Sequence, residues 1–124
     1  MFLRGVRGAT VAEENTKESI IDATKELLAD IIKENDIKIE DIASIFFSVT
    51  KDLDAEFPAV AARQLGLSHT PLLCLNEIDV PASLQKCVRI LCHVNTPTPQ
   101  SDIRHIYLKE AQSLRPDTVK RNAE

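Results

Sequence analysis

Gln85-Lys86-Cys87-Val88-Arg89-Ile90-Leu91-Cys92-His93-Val94 decides the architecture, because it reads as a buried, β-branched, sulfur-containing strand with one arginine at its middle. A guanidinium keeps its charge at any ordinary pH. An unpaired Arg89 in a half-buried strand would therefore cost several kcal/mol, on the order of what breaking a buried ion pair costs. Either a carboxylate of the protein or a ligand has to answer it. A second arginine in a similar setting is Arg7, within Phe2-Leu3-Arg4-Gly5-Val6-Arg7-Gly8-Ala9-Thr10. Together the two suggest a site for a small acidic molecule.

Working outward, 124 residues with 44% hydrophobic and 27% charged side chains form a single folded domain, 1–124, with no low-complexity tract and no internal repeat. A chain of this size can bury about 65% of its unfolded surface. The net charge of -4 and the absence of Trp argue against a nucleic-acid surface, which normally gathers a basic excess and stacking aromatics. No run approaches the ~18 apolar residues of a membrane-spanning helix, and the amino terminus lacks the apolar stretch of a signal peptide, so a cytoplasmic location and no membrane partner are expected. Cys74, Cys87 and Cys92 are odd in number, without Cys-x-x-Cys spacing, and lie in apolar strand-like runs. Neither disulfides nor zinc is expected of them.

Phe2 to Thr10 reads as a first strand, with Arg7 on the face shared by Leu3 and Gly5. Asn15 followed by Glu18 reads as a capping box for a helix carrying Ile20, Thr24, Leu27, Leu28, Ile31 and Ile32 at helical spacing up to Asn35-Asp36. After a turn at Ile39 to Ile42, Ser44 to Thr50 reads as a central strand, apolar on both faces and covered by that helix. Phe57-Pro58 opens a second, two-turn helix with proline in its first position, and Gly66 ends it. Pro71 to Leu75 is a third strand running into Asn76-Glu77, the Arg89 strand follows, and Arg104 to Leu108 is the last strand. The polar tail 117–124 is expected to be flexible. The order β-α-β-α-β-β-β gives an α+β fold, a mixed β-sheet covered on one face by helices, with the other face left for solvent or, as expected here, another subunit of an oligomer.

The familiar catalytic signatures are missing: no phosphate-binding loop, no His-Glu-x-x-His, no Gly-x-Ser-x-Gly, and three scattered histidines. No metal is expected. Cys74, in an apolar strand, reads as a small hydrophobe more readily than as a nucleophile. What remains is Arg7, Arg63, Arg89 and Arg115 at or near strand and helix ends, with Glu77 and Tyr107. Arg63 and Arg115 taken alone read as solvated or paired surface charges, Tyr107 as core, and Glu77 as an internal salt-bridge partner for an arginine.

Five stretches then carry a resemblance in register from residue 4 to residue 116. They are Arg4-Gly5-Val6-Arg7-Gly8-Ala9-Thr10, Phe57-Pro58-Ala59 with Arg63, Cys74-Leu75-Asn76-Glu77-Ile78-Asp79-Val80, Cys87-Val88-Arg89-Ile90, and Arg104-His105-Ile106-Tyr107-Leu108 with Leu114-Arg115-Pro116. The set closely resembles the small, monofunctional, trimeric α+β class of chorismate mutases. The resemblance implies a homotrimer whose sheets pack into a pseudo-α/β-barrel, with active sites at the subunit interfaces. It also implies the rearrangement of chorismate to prephenate, on the route to phenylalanine and tyrosine, without cofactor or metal. Arg89 then matches the arginine that donates to the substrate's ether oxygen. Glu77 and Cys74 match the pair that meets the ring hydroxyl, Glu77 also favouring positive charge on the ring. Arg7 and Tyr107 match groups that bind the enolpyruvyl carboxylate, Leu73, Leu75 and Asn76 fall in the pocket-lining stretch, and Phe57, Arg63, Leu114 and Arg115 match residues that close the site. Phe57 and Arg63 are expected from the neighbouring subunit.

Two departures stand out. Val60 occupies the position where the family pattern carries a lysine, and the turn from Gly66 to His69 is one residue short, which leaves fewer cations at the rim for a dianionic substrate. Two other readings are a trimeric imine-deaminase-like protein, whose Gly/Pro-rich carboxy-terminal signature is absent, and a non-catalytic module for an amino acid or other carboxylate. Such a module would need Arg7 and Arg89 but have no use for Glu77.

Overall fold

The first helix, α1 (Lys17–Glu34), forms where the spacing of apolar residues predicts, burying Ile20, Ile21, Ala23, Thr24, Leu27, Leu28 and Ile31. The structure is a computed structural model that describes residues 1–115; the tail 117–124 lies outside the described residues. The cap differs from the expected Asn15 box. Thr16 is the N-cap, its hydroxyl accepting from the Ser19 N–H at 3.1 Å. Asn15 is taken up by a loop instead, its amide oxygen accepting from the N–H groups of Asp54 at 3.0 Å and Ala55 at 3.1 Å. A side chain that satisfies two loop donors cannot also turn back to cap the helix. At the other end Asp36 takes a left-handed backbone (φ 49), which stops the helix where the polar pair predicts.

Five strands form one mixed sheet: β1 (Phe2–Val11), β2 (Ile42–Val49), β3 (Leu72–Asn76), β4 (Cys87–Thr96) and β5 (Ile106–Tyr107). Their order is β3-β2-β4-β1-β5. β4 runs antiparallel to both β1 and β2, while β3 is parallel to β2 and β5 to β1. The middle of the sheet is therefore β4, the quoted stretch, and not the Ser44–Thr50 run, which lies one place off centre. The last strand is shorter than the expected Arg104 to Leu108. Arg104 leaves the sheet because its backbone N–H donates to the Asn35 side chain at 2.8 Å and its carbonyl accepts from it at 2.9 Å.

Alternation along the strands separates two faces. Val6, Ile45, Phe47, Ile90, Cys92 and Val94 are buried with Leu27, Leu28 and Ile31 of α1 in the main core. α1 lies over β1, β4 and β5 more than over β2, and the short helix α2 (Ala59–Gln64) fills the space against α1 and β3. Pro58 stands at the N-cap of α2, one place before the expected first turn, and Gly66 ends it at φ 97, a conformation suited to glycine. Gly8 is needed for a different reason. A Cβ there would stand 2.7 Å from Ile31 Cδ1 and 3.0 Å from Leu27 Cδ1, so α1 presses onto β1 at a point where no side chain fits.

The opposite face is uncovered, as the element order predicts, and it exposes Leu3, Phe46, Leu73 and Leu75. At one end of it a 3-10 turn, Lys109–Leu114, folds back so that Ala111 and Leu114 pack on Ala9, Cys87 and Tyr107. Arg89 points to this face and its side chain is 45% exposed in the isolated chain. The strand is half-buried: its other side packs in the core and Arg89 lies on the open side.

Candidate active site

Strand register gathers the charged residues. Ala9 and Ser48 pair with Arg89 from either side, and Arg7 pairs with Leu91, two residues along. Arg7 and Arg89 are therefore diagonal neighbours on one face, at a backbone separation of roughly 7–8 Å. Glu77 arrives from the end of β3, where its N–H donates to the Val49 carbonyl at 2.9 Å and so extends the β2–β3 ladder by one residue. Its Oε2 accepts from Ser48 Oγ at 2.6 Å and lies 3.6 Å from Arg89 Nε. Tyr107, paired with Ala9, adds a phenol beside them. A cavity of about 320 Å³ is lined by Arg7, Ser48, Leu75, Glu77, Arg89 and Tyr107 among others. Two guanidiniums against one carboxylate leave it with an excess of positive charge. The size and sign suit a small anion.

The remaining expected residues lie elsewhere on the chain. Phe57, Cys74 and Asn76 line a second cavity of about 370 Å³ with the Leu53 to Pro58 loop, and Leu75 contributes to both. Within one chain Cys74 alternates to the opposite side of β3 from Leu75 and packs toward the core. Leu73 is exposed on the open face, Arg63 is exposed on α2, and neither lines either cavity. Leu114 packs in the end turn, with Arg115 following it. Val60 is partly buried on α2.

Ser48, Phe46 and Leu91 belong to the first cavity and were not singled out from the sequence. The only signal was their alternation along β2 and β4. Which residue of β2 faces Arg89 is a matter of register, which one sequence does not print.

Neither a histidine nor a cysteine is among the residues lining this cavity. Burial pushes the Cys92 thiol up to about 12. Burial also pushes the Cys87 thiol up, opposed by the adjacent Arg89 guanidinium. Both stay protonated and unreactive at neutral pH. Among the described residues no group of three or more His, Cys, Asp or Glu side chains could hold a metal ion, and no helix is long and apolar enough to cross a membrane. What the cavity offers is fixed donors and one fixed carboxylate, suited to binding a polar molecule and stabilising charge on it.

Known proteins match this arrangement over nearly the whole chain. The profile of the family described as chorismate mutase type I matches residues 3–118. Chorismate mutase AroH of Bacillus subtilis (strain 168) is 48% identical over 118 residues, covering 94% of this chain and 93% of the relative. Chorismate mutase AroH of Thermus thermophilus is 49% identical over 117 residues, covering 94% and 96%. A solved structure of chorismate mutase from Clostridium thermocellum superimposes with a TM-score of 0.87 at 50% identity, covering 88% of this chain and 97% of that one. The uncovered mixed sheet, the arginine pair and these likenesses converge: the chain belongs to the chorismate mutase type I family.

Proposed function

We propose that this protein converts chorismate to prephenate, and that the reacting atoms lie against the wall built by Arg89, Glu77, Arg7 and Tyr107. The observation that carries the reading is the placement of Arg89 and Glu77 at 3.6 Å in one open cavity, with Arg7 diagonal to Arg89 on the same face. In this Claisen rearrangement the ether C–O bond breaks as a new C–C bond forms within one molecule. No proton is transferred and no bond to the enzyme is made. Catalysis then comes from holding the flexible substrate in its reactive chair-like form and from stabilising the polar transition state.

Arg89 donates to the ether oxygen, where negative charge grows as the C–O bond lengthens. Glu77 receives the ring hydroxyl and favours the positive charge developing on the ring. Arg7 and Tyr107 hold the enolpyruvyl carboxylate. Phe57, Cys74, Leu75 and Asn76 form the facing wall, and Leu73, Arg63, Leu114 and Arg115, which line neither cavity of the single chain, close its edges in the assembled site. No cofactor or metal takes part.

The site is completed between subunits of a homotrimer. Two observations support this: the residues assigned to one site fall on two separate cavities of a single chain, and the sheet face bearing Arg89 exposes large apolar side chains that a monomer would leave in water. One copy offers the Arg89 wall and its neighbour the Phe57 wall. Three free thiols among the described residues fit a reducing compartment, the cytoplasm.

Following the loss of chorismate spectroscopically in the presence of purified protein tests the reading. A clear acceleration over the uncatalysed rearrangement is expected. No acceleration at millimolar substrate would overturn it in favour of a carboxylate-binding module.

A further inference from the structure

Glu77 is held twice by β2. Its backbone N–H donates to the Val49 carbonyl at 2.9 Å, which fixes where the residue sits. Its carboxylate accepts from the hydroxyl of Ser48 at 2.6 Å, which fixes where the side chain points. A hydroxyl donating to a carboxylate at this distance is a charge-assisted bond, roughly twice as strong as a neutral one. Ser48 is itself the ladder partner of Arg89, so it stands beside both charged groups at once.

The two distances to Oε2 are unequal in an informative way. An arginine and a carboxylate left to themselves close to about 2.7–2.9 Å. Here the gap from Arg89 Nε to Glu77 Oε2 is 3.6 Å, while Ser48 Oγ has the short contact. The carboxylate is anchored by the neutral donor and only leans toward the cation. Packing alone does not call for a hydroxyl here, since Ser48 is half-buried on the open face, outside the main core.

We infer that Ser48 is a positioning residue: its hydroxyl holds the Glu77 carboxylate off Arg89, so that Arg89 stays available for the substrate's ether oxygen and Glu77 Oε1 for its ring hydroxyl. This rests on the proposed reading of Arg89 and Glu77 as the groups that meet the reacting atoms. Without the Ser48 hydroxyl, one side-chain rotation lets Glu77 close on Arg89. The two charges then satisfy each other, and the guanidinium that should follow charge growth in the transition state is already engaged. The loss falls on the chemical step more than on binding, because the carboxylates of the substrate are held by other groups.

Steady-state kinetics of Ser48→Ala, Ser48→Thr and the wild type, each at the same thermal midpoint, test the role. Ser48→Ala is expected to lower kcat about 10- to 100-fold, the scale of a misplaced catalytic group, with KM little changed. Ser48→Thr keeps the hydroxyl and is expected to restore most of kcat. Should Ser48→Ala fail to fold, Ser48→Cys, which matches serine in shape but is a weak donor, gives the same comparison with the same expected loss. An active wild type with Ser48→Ala at the same kcat would overturn the positioning role alone, as would a Ser48→Thr variant no better than Ser48→Ala. An inactive wild type would overturn the proposed reaction and this role with it.

Discussion

Arg89 and Arg63 carry the same charge on the same chain, yet their surroundings separate them. Arg89 is flanked by Ser48 and Ala9 on a sheet face and leans on Glu77, whereas Arg63 stands exposed on α2. On the proposed reading, only the first meets charge that develops as a bond breaks. Arg89→Ala is therefore expected to lower turnover about 10²- to 10³-fold, the usual effect of deleting one well-placed donor, and Arg63→Ala far less. Equal losses measured in the two variants would contradict the assignment. Cys92 supplies a pH test at the same scale. Its thiol is raised by burial from 9.0 to about 12, so the folded chain keeps a proton that the unfolded chain releases first. Its contribution to stability is complete below pH 9 and is lost as pH rises from there toward 12. Unfolding by denaturant across that range should show the decline in the wild type, and Cys92→Val should flatten it. From the sequence alone the arginines, Glu77 and Tyr107 were legible as candidates. Ser48 was not, because a serine in a strand carries no chemical signal until its cross-strand partner is known.

At the scale of elements, α1 packs closely onto β1 at Gly8. The Cβ of any other residue at position 8 would meet Ile31, Leu27 and the Ile106 carbonyl at 2.7, 3.0 and 3.2 Å. The side-chain ends can shift, but the backbone carbonyl cannot give way as easily. Gly8→Ala should cost about 1–3 kcal/mol, as overpacking does, measurable as a lowered midpoint in denaturant. Because Arg7 is the next residue, the same variant should lose activity even under conditions where it is folded. A variant of wild-type stability would show that α1 is free to move outward. The helices and strands themselves were largely legible, since apolar spacing marks α1 and polar or Gly/Pro breaks mark the strand ends. Errors fell at caps and edges: Asn15 was outcompeted by Thr16, and Arg104 was drawn off β5 by Asn35. Both depend on partners far away in sequence.

For the whole molecule, the uncovered face is the dominant feature. Leu3, Phe46, Leu73 and Leu75 lie exposed around the two arginines, an apolar patch of the kind that marks an interaction surface. Sizing with light scattering is expected to give a trimer. Leu3→Asp places a charge on that face outside the cavity, and it should lower assembly and activity together while circular dichroism retains the folded signature. A monomer that keeps full activity would overturn the shared site. Val60, where the resemblance implies a lysine, sits partly buried on α2. Fewer rim cations should make association with a dianionic substrate less dependent on salt.

The sequence by itself determined the elements, the two-faced sheet and the family, because hydrophobic periodicity and motif order are local properties written in the chain. It also pointed to an anion for Arg89, because a guanidinium cannot lose its charge. Only the tertiary structure decided which anion answers it in the folded chain, and how closely. Strand register sets Ser48 opposite Arg89, and the β2–β3 ladder carries Glu77 to both of them. Register fixes contacts between residues dozens of positions apart, and that information resides in the packing of the strands against one another.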